Sequence, residues 1–574
     1  MSLLRCLLVL ILSLPLLAHG EWRIQADPGH LNEQLERVLS SHQKVLIPDE
    51  AAAQSELART VTDQVKETLN ALGYYAPEIR VDLSSVTPLL SVQAGSAVVL
   101  QEANIQLIGD ASTDRGFRLP DFPLRTGQRF VHADYENFKQ AVADRALERG
   151  YFDSRWLVHR VELNLQSNQA NVYLAFQSGS RYRYGEVSFQ EVAGGSLKAL
   201  DQKQLDRLMT FKTGDPISSR ELFNLQNDLI QTGYFRDVQV SFRRDQAEDL
   251  LIPVDVIVDS RLPSRISLGA GFTTDVGPRV LAEWQRHLFN EKGHGIEAKT
   301  EFSMVRQSGE VRYRVPWKHP LHDRLEFAVG AQQDIIDDTE TLQTIVSMQR
   351  VIAPKVGWQQ TYGIRVVDER FERDSGEKGA ETLVAPYLAY SRLRSRGGVD
   401  PTHGSRLLFQ AETANRAFLS TVDYVSVRTG VRWLNTFQDR HMLLLRADAG
   451  AIFSPEFDRV PPSVRFYAGG DNSVRGFDFR SISPRNDEGD TVGGQYLLTG
   501  SVEYNWRWRP TWRPAIFVDA GSAFTDTNDV SPAIGVGIGM RWISPVGPVR
   551  FDIANGISEP DKPFRIHLTL GAAL

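Results

Sequence analysis

The chain has 574 residues, too many for one ordinary domain and enough for about three or four. Its formal net charge of −7 argues against nucleic acid as a partner. The single cysteine, Cys6, excludes a disulfide scaffold and argues against thiol catalysis and cysteine-bound metal. Beyond the first twenty residues there is no run of 18 apolar residues, so any membrane-spanning part has to cross as β-strands.

Residues 1–20 are typical of an export signal peptide. Arg5 supplies the positive charge, residues 7–17 form a short apolar core, and residues 18–20 provide small side chains at a cleavage position before Glu21. An uncleaved anchor is the alternative. A lipoprotein signal fits less well, because Cys6 lies inside the apolar core rather than at its end. We therefore expect an exported protein.

The N-terminal half contains three repeats. Three helical segments each end in a Gly-Tyr-aromatic sequence, at Gly73, Gly150 and Gly233, and each runs into an alternating strand. Glycine ends a helix well because it accepts the left-handed conformation. Each repeat therefore indicates a small α+β domain of a strand, helices and a hairpin, roughly 80 residues long. We predict domains at 21–100, 101–182 and 183–262.

From about residue 264 the helical periodicity is replaced by alternating apolar and polar segments of about ten residues. In the segment EYNWRW, Tyr504 and Trp506 share one face and Glu503 and Asn505 share the other. Outward aromatic and inward charged side chains are typical of a transmembrane barrel. At roughly 19 residues per strand and connection, we predict a sixteen-stranded antiparallel transmembrane β-barrel over 263–574. A large soluble β-sandwich or propeller is the competing interpretation.

Several motifs make the chain resemble a known family. The repeats are similar to POTRA domains, and the barrel segments RFYAGGDNSVRGF (465–477), GSVEY (500–504), FVDAG (517–521) and SPVGPVRFDIA (544–554) resemble the outer-membrane protein-assembly and two-partner-secretion superfamily. Three POTRA units before a sixteen-stranded barrel resemble the TamA branch, since secretion transporters carry two such units and the main assembly factor usually five. Leu574 departs from the terminal aromatic residue common in outer-membrane strands.

This resemblance implies a non-enzymatic protein of the cell outer membrane, with its POTRA domains in the periplasm. It implies that the protein promotes insertion or secretion of outer-membrane proteins such as autotransporters, through a laterally gated barrel, together with the inner-membrane-anchored protein TamB. Phospholipid transport to the outer membrane with TamB, and a two-partner-secretion exporter pore, are the alternatives. The expected partners are TamB, client proteins and outer-membrane lipids.

The predicted site centres on Arg475, which the resemblance places in a sixth extracellular loop folded into the barrel lumen. Its charge is permanent and its planar donor fork suits a carboxylate. Strand alternation puts Asp519 on the polar face of its strand, and Glu503 is a second inward acid. We expect Arg475 to pair with Asp519, with Glu503 secondary. A surface arginine in a mobile loop is the alternative. The rest of the motif is Val474, Gly476, which lets the backbone turn closely against the wall, and Phe477, which packs beneath.

A second predicted site is the seam between the first and last barrel strands. Glycines weaken the interior of the first strand, and the last strand carries an apolar stripe before small residues. An incompletely paired edge offers unpaired N–H and C=O groups to an incoming strand. The family resemblance implies a lateral gate here. The residues concerned are Ile266, Leu268, Gly269, Gly271, Ile566, Leu568 and Leu570.

Motifs for enzymatic chemistry are missing from the sequence. It contains no Gly-x-Ser-x-Gly elbow, no Walker loop and no HExxH motif. The glycines of 269–277 fit a strand and a turn better than a phosphate loop. The acidic residues at 486–490 and 337–338 fit solvated loops better than a calcium site or a catalytic pair. We therefore expect no enzyme activity, no cofactor and no metal.

Overall fold

A computed structural model describes residues 22–40, 50–85, 87–260, 264–336, 338–398, 400–528, 530–544, 547–560, 562 and 564–570. The expected signal peptide, Asp337 and Leu574 lie outside the described residues. No α-helix within these ranges is both long and apolar enough to cross a membrane.

The first repeat folds as a small α/β unit. It contains β1 (Arg23–Asp27), α1 (Asn32–Leu39), α2 (Ala51–Ala71), β2 (Glu78–Asp82) and β3 (Leu89–Gln93). The sheet order is β1-β3-β2, with β1 parallel and β2 antiparallel to the central strand β3. Leu35 of α1, Val65 of α2 and Leu90 of β3 are fully buried between the helices and the sheet. The helical spacing of apolar residues thus supplies the face that covers the sheet.

The second and third repeats have the same strand order. The second, β4-β6-β5, is built from β4 (Val99–Ile108), α3 (His132–Glu148), β5 (Arg155–Asn164) and β6 (Gln169–Gln177). The third, β7-β9-β8, is built from β7 (Arg183–Glu191), α4 (Gln202–Leu208), α5 (Ser219–Gln231), β8 (Phe235–Phe242) and β9 (Leu251–Ser260). The second repeat has one α-helix, and a short 3-10 turn at Asp110–Ser112 follows β4.

The three repeated glycines end their helices as predicted. Gly73, Gly150 and Gly233 have φ values of 94°, 83° and 71°. After Gly73, the Tyr74 N–H donates to the Leu69 carbonyl at 2.8 Å, which closes the helix end in a Schellman motif. The left-handed turn directs the chain from the helix into the next strand.

A closed antiparallel barrel of sixteen strands follows, among the residues that the structure describes. This confirms the predicted strand number and excludes the sandwich and propeller. The strands are β10 (Arg265–Thr273), β11 (Gly277–Arg286), β12 (Gly295–Ser303), β13 (Arg306–His319), β14 (Asp323–Ile336), β15 (Thr339–Ile352), β16 (Gln359–Arg373), β17 (Lys378–Arg396), β18 (His403–Ala414), β19 (Tyr424–Phe437), β20 (His441–Phe453), β21 (Tyr496–Trp506), β22 (Trp512–Phe524), β23 (Ala533–Ser544), β24 (Gly547–Gly556) and β25 (Phe564–Leu570).

The barrel is apolar outside and polar inside. On β21, Leu498 and Val502 are 61% and 53% exposed, whereas Thr499 and Glu503 on the opposite face are buried. The outer surface also carries aromatic side chains, including Trp512 stacked on its cross-strand neighbour Trp542 at 5.8 Å between ring centroids. An exposed apolar outer face over a polar interior requires a nonaqueous surrounding medium.

One long connection enters the barrel. Residues 454–495 join β20 to β21, and we call this segment loop 6 because it is the sixth of the connections at its end of the barrel, the loop end. Its residues Val460, Phe466 and Ala468 are buried in an apolar cluster with Val422 and Ile452 near the loop end. The next residues of the loop carry the charged motif.

Candidate functional site

Arg475 lies inside the barrel with every N–H of its guanidinium bonded. Its Nε and one Nη donate to the two Asp519 carboxylate oxygens at 2.7 and 2.9 Å, and the Arg475 backbone N–H donates to the same carboxylate at 3.1 Å. The other Nη donates to Glu503 at 2.7 Å and Asp552 at 3.1 Å. The fifth donor reaches Ser501 at 3.4 Å. Arg475 is 2% exposed, so this pairing replaces nearly all of its hydration.

The barrel wall positions the acceptors through strand register. Ser501 on β21 is aligned with Asp519 on β22, so their inward side chains are neighbours, and the serine hydroxyl donates to that carboxylate at 2.5 Å. Glu503 lies two residues along β21 on the same face. Asp552 is on β24 and also points inward. Three strands are therefore needed to complete the pocket around one arginine.

Two further arginines balance the buried charge. Arg541 on β23 donates to both Glu503 oxygens at 3.0 and 2.8 Å and to Asp552 at 2.5 Å. Arg446 on β20 lies 3.7 Å from an Asp519 oxygen. Together with Arg475, these side chains bring three guanidinium groups against three carboxylates. We call the six side chains the luminal charge cluster, which comprises Arg446, Arg475, Glu503, Asp519, Arg541 and Asp552.

An aromatic ring lies against the central cation. The guanidinium carbon of Arg475 is 3.4 Å from the ring centroid of Phe517, which shares the inward face of β22 with Asp519. A cation over a ring face is attracted by the ring quadrupole, and more strongly away from water. Phe517 therefore supports the arginine on the side that the carboxylates leave open.

Two glycines allow the loop backbone to reach the wall. Gly476 has φ of 93°, and a Cβ added there would lie 2.8 Å from the Gly556 nitrogen. On β23, a Cβ added to Gly535 would lie 1.8 Å from the Arg475 carbonyl oxygen. A side chain at either position would push loop 6 away from the strands.

The remaining motif residues are apolar anchors. Val474 and Phe477 are buried in one cluster with Ala533 of β23 and the neighbouring Ile482 of loop 6. They flank Arg475 on both sides in the sequence, so their burial fixes the loop where the charge cluster requires it.

The barrel closes at a poorly paired seam. In the described residues, β10 and β25 are aligned at only Thr273 with Thr569. By contrast, β24 and β25 are aligned over the whole of Val549–Asn555. Most of the first strand's described edge therefore has no strand partner among the described residues of β25. This is the edge type that can accept another strand.

Loop 6 reinforces the seam through side chains. Asp471 accepts hydrogen bonds from the Thr274 hydroxyl at 3.0 Å and from His567 Nδ1 at 2.5 Å, and its N–H donates to Asp275 at 2.7 Å. The Leu568 N–H donates to the Thr274 hydroxyl at 3.2 Å. A loop carboxylate thus joins the end of β10 to β25, and we call Thr274, Asp275, Asp471 and His567 the seam network.

A second contact between loop 6 and the last strand is an ion pair. Arg565 of β25 donates to both Asp478 oxygens at 2.9 Å and also to the Gly476 carbonyl. The glycine that follows Arg475 is therefore bonded to the last strand. The luminal charge cluster and the seam are joined through a few residues of loop 6.

The predicted seam residues fall into three groups. Ile266, Leu268, Ile566 and Leu570 are exposed on the outer face. Gly269 and Gly271 have ordinary φ values and are aligned with β11, at Leu281 and Arg279. Leu568 bonds to Thr274, so it lies opposite the end of β10, far from Ile266.

The seam network does not suit a metal ion, because hydrogen bonds occupy both ring nitrogens of His567. The Gly476 N–H donates to His567 Nε2 at 3.0 Å, so the ring proton is on Nδ1 and is donated to Asp471. The ring then has no lone pair for an ion. Burial, followed by the nearby Asp471 charge, raises the pKa of Asp275, in the turn after β10, to about 7.

Another His-Asp group lies at the turn end, opposite the loop end. Asp228, His319 and His322 have possible ligand atoms within 4.8 Å of one another. However, both Asp228 oxygens are bound by the Lys355 ammonium, at 2.7 and 2.8 Å. This lysine already neutralises the carboxylate, so the arrangement fits an ion pair better than a metal site.

Sequence reasoning identified part of this site and missed the rest. It named Arg475, Asp519 and Glu503, which the structure brings together. It missed Asp552, although FDIA alternates and therefore places this acid inward. It also missed Arg541, which alternation in GMRWI would have placed inward, and the pairing of Asp471 with His567, for which the sequence carries no local signal.

An apolar-surfaced barrel with a plugged polar lumen defines an outer-membrane β-barrel protein. A sequence profile of the Omp85 superfamily domain matches residues 279–573. Profiles described as POTRA domain TamA domain 1 and as surface antigen variable number repeat match 21–93 and 182–261. Because the first profile covers more than half of the chain, this protein belongs to the Omp85 superfamily.

Named relatives are assembly factors. The chain is 26% identical over 380 residues to outer membrane protein assembly factor BamA of Nitratidesulfovibrio vulgaris, covering 62% of this chain and 47% of that one. It is 31% identical over 394 residues to BamA of Neorickettsia risticii, covering 61% and 51%. The chain thus spans about half the length of the curated relatives it matches.

A solved structure shares the fold. BamA from Haemophilus ducreyi lacking POTRA domains 1-3 aligns with a TM-score of 0.69 at 16% identity, over 82% of this chain and 99% of that chain. This similarity supports the barrel with preceding POTRA units.

We expect Arg475→Ala to destabilise the protein by about 3–5 kcal/mol, because it leaves buried carboxylates with too few cations. Arg475→Lys keeps the charge but loses the planar donor fork of the guanidinium, so its loss of stability should be intermediate. Denaturant unfolding and protease cleavage within loop 6 measure both effects. Arg459→Ala is the control, because this loop-6 side chain is 51% exposed and water can take the place of its ion pairs. Equal stability of the Arg475 and Arg459 variants would contradict the assignment.

The raised pKa of Asp275 predicts a pH dependence. The Asp275 carboxyl binds its proton more tightly when loop 6 is docked than when the loop is undocked, so docking is strongest in acid. Its contribution is lost as pH rises from about 4 through about 7. Asp471 and His567 are the titratable groups facing Asp275 in the seam network. Protease protection of loop 6 should therefore decrease from pH 5 to pH 8, and Asp275→Asn should reduce this decrease. An identical pH profile for the variant would show that Asp275 does not control docking.

Proposed function

We propose that this protein is a TamA-like subunit of a translocation and assembly module, which promotes insertion or secretion of outer-membrane proteins such as autotransporters. The observation that carries the proposal is the seam, where the described residues of β10 and β25 share one aligned pair and a loop network joins them. An incoming client strand would pair with the edge of β10, where the described residues of β25 leave N–H and C=O groups without a strand partner.

The luminal charge cluster supports this role by holding loop 6 against β21–β24 next to the seam. Opening the seam then means separating β10 from β25 while the rest of the barrel stays paired. Such a step requires binding and folding free energy and no enzymatic reaction. The predicted seam set, with Ile266, Leu268, Gly269 and Gly271 on one side and Ile566, Leu568 and Leu570 on the other, is our proposed gate.

The N-terminal units support the TamA-like assignment. Three POTRA-type repeats precede the barrel, and the first of them matches a profile of the first TamA domain. We propose the periplasm as their location and TamB as the partner protein. The predicted boundaries at 21–100, 101–182 and 183–262 are part of this proposal. A two-partner-secretion exporter fits less well, because three repeats are present.

The seam register gives a direct test by crosslinking. Thr273→Cys with Thr569→Cys places two thiols at aligned positions, and oxidation should lock the seam and block client insertion by at least tenfold. Autotransporter surface display measures the effect. Each single-cysteine variant, and the reduced double variant, should insert clients normally. Undiminished display by the fully oxidised protein would contradict a lateral gate at this seam.

Depleting the protein from cells distinguishes a primary role in protein assembly from one in phospholipid transport. Outer-membrane proteins and outer-membrane phospholipids are quantified in parallel after the protein is removed from cells. Protein assembly as the primary role predicts that client proteins fall before lipid composition changes. A lipid change that precedes any loss of client proteins would favour the transport alternative.

A further inference from the structure

A second polar site lies in the lumen, separate from the luminal charge cluster. A cavity of about 270 Å³ lies between loop 6 and the wall formed by β13–β17. Arg465, Tyr467 and Arg480 line it from the loop, and Arg306, Asp334 and Arg365 line it from the wall. None of these residues belongs to the luminal charge cluster or the seam network.

Positive charge exceeds negative charge around this cavity. Asp334 is the single acid among its lining residues and is already paired with Arg306 in a two-point ion pair, at 2.7 and 3.2 Å. Arg365 pairs with Glu412, which does not line the cavity. Among the described residues, Arg465 bonds only to backbone carbonyls, such as Val460 and Val492. The cavity therefore carries excess cationic charge.

The unpaired hydrogen-bonding groups of Arg480, Arg365 and Tyr467, two guanidinium groups and one hydroxyl, can all donate. Arg480 makes no hydrogen bond or ion pair to any residue the structure describes, and its guanidinium carbon lies 5.9 Å from the Tyr467 ring centroid. The Tyr467 hydroxyl and Arg365 Nε are buried and lack hydrogen-bond partners within the described part of the chain. The Asp334 acceptors are occupied by Arg306 and Gln332. Unpaired donors beside excess cations favour a negatively charged acceptor.

We propose that this cavity binds a small tetrahedral oxyanion of the phosphate class. Arg480 and Tyr467 would bind it from loop 6, and Arg365 and Arg306 from the wall. The volume admits one such anion with several waters, at about 30 Å³ per water. Donors converge from two sides, which suits an acceptor with oxygens in several directions.

The bound anion gives loop 6 a further anchor. The luminal charge cluster fixes the loop to β21–β24, and the anion links it to β13–β17 across the lumen. This site does not depend on the proposed role in client assembly. Its phosphate group is supplied either by the free ion or by the headgroup of a phosphate-monoester lipid.

Calorimetric titration of the purified full-length protein in a non-ionic detergent tests this site. Inorganic phosphate is titrated at constant ionic strength against a chloride background, and the unfolding temperature is measured with the same additions. We expect saturable binding below 1 mM and a rise in unfolding temperature, as mass action requires. Dihexanoyl phosphatidate, titrated separately, represents the lipid source. Binding of either compound supports the site and identifies the source.

Variants connect the binding to the cavity. Arg480→Gln and Tyr467→Phe should each raise the phosphate Kd at least tenfold while the barrel still folds, as judged by heat-modifiable gel mobility. Arg370→Gln is the matched control, because it removes the same charge from β16 at a side chain that is 74% exposed and does not line the cavity. Absence of binding by both compounds, or an equal loss in the control variant, would overturn the proposal.

Discussion

Complete pairing of one buried arginine is the constraint on which the rest of the barrel interior depends. A desolvated guanidinium is stable only when its charge and all five donors are matched. Arg475 meets this condition through Asp519, Glu503, Asp552 and Ser501, on three different strands. The register of β21, β22 and β24 is therefore tied to the position of a loop far away in sequence.

The same loop connects this cluster to the seam between β10 and β25, where the described residues share one aligned pair. Asp471 and Asp478 precede and follow the arginine and bond to His567 and Arg565 of the last strand. Among the described residues, these side-chain bonds therefore supplement the single aligned pair of β10 and β25. Side-chain bonds can be exchanged one at a time, whereas a full strand ladder separates cooperatively, which is the physical basis for the gate proposed at this seam.

The sequence predicted local features well and long-range ones poorly. Alternation over FVDAG and GSVEY was enough to place Asp519 and Glu503 inside, because side-chain direction has a period of two residues. Asp552 and Arg541 follow the same rule, yet only the register of β21–β24 shows that they reach the same arginine. The pairing of Asp471 with His567 depends on the path of loop 6, for which no periodicity exists. The alignment of Thr273 with Thr569 depends on barrel closure.

A double-mutant cycle tests the central claim most directly. The free energy of unfolding is measured for the original protein, Arg475→Ala, Asp519→Ala and the double variant. Because each single change leaves an unpaired buried charge, the account predicts that the double variant loses little more than either single variant, with a coupling of about 3 kcal/mol. Additive losses within about 0.5 kcal/mol would contradict it, since they would mean that the two side chains act independently.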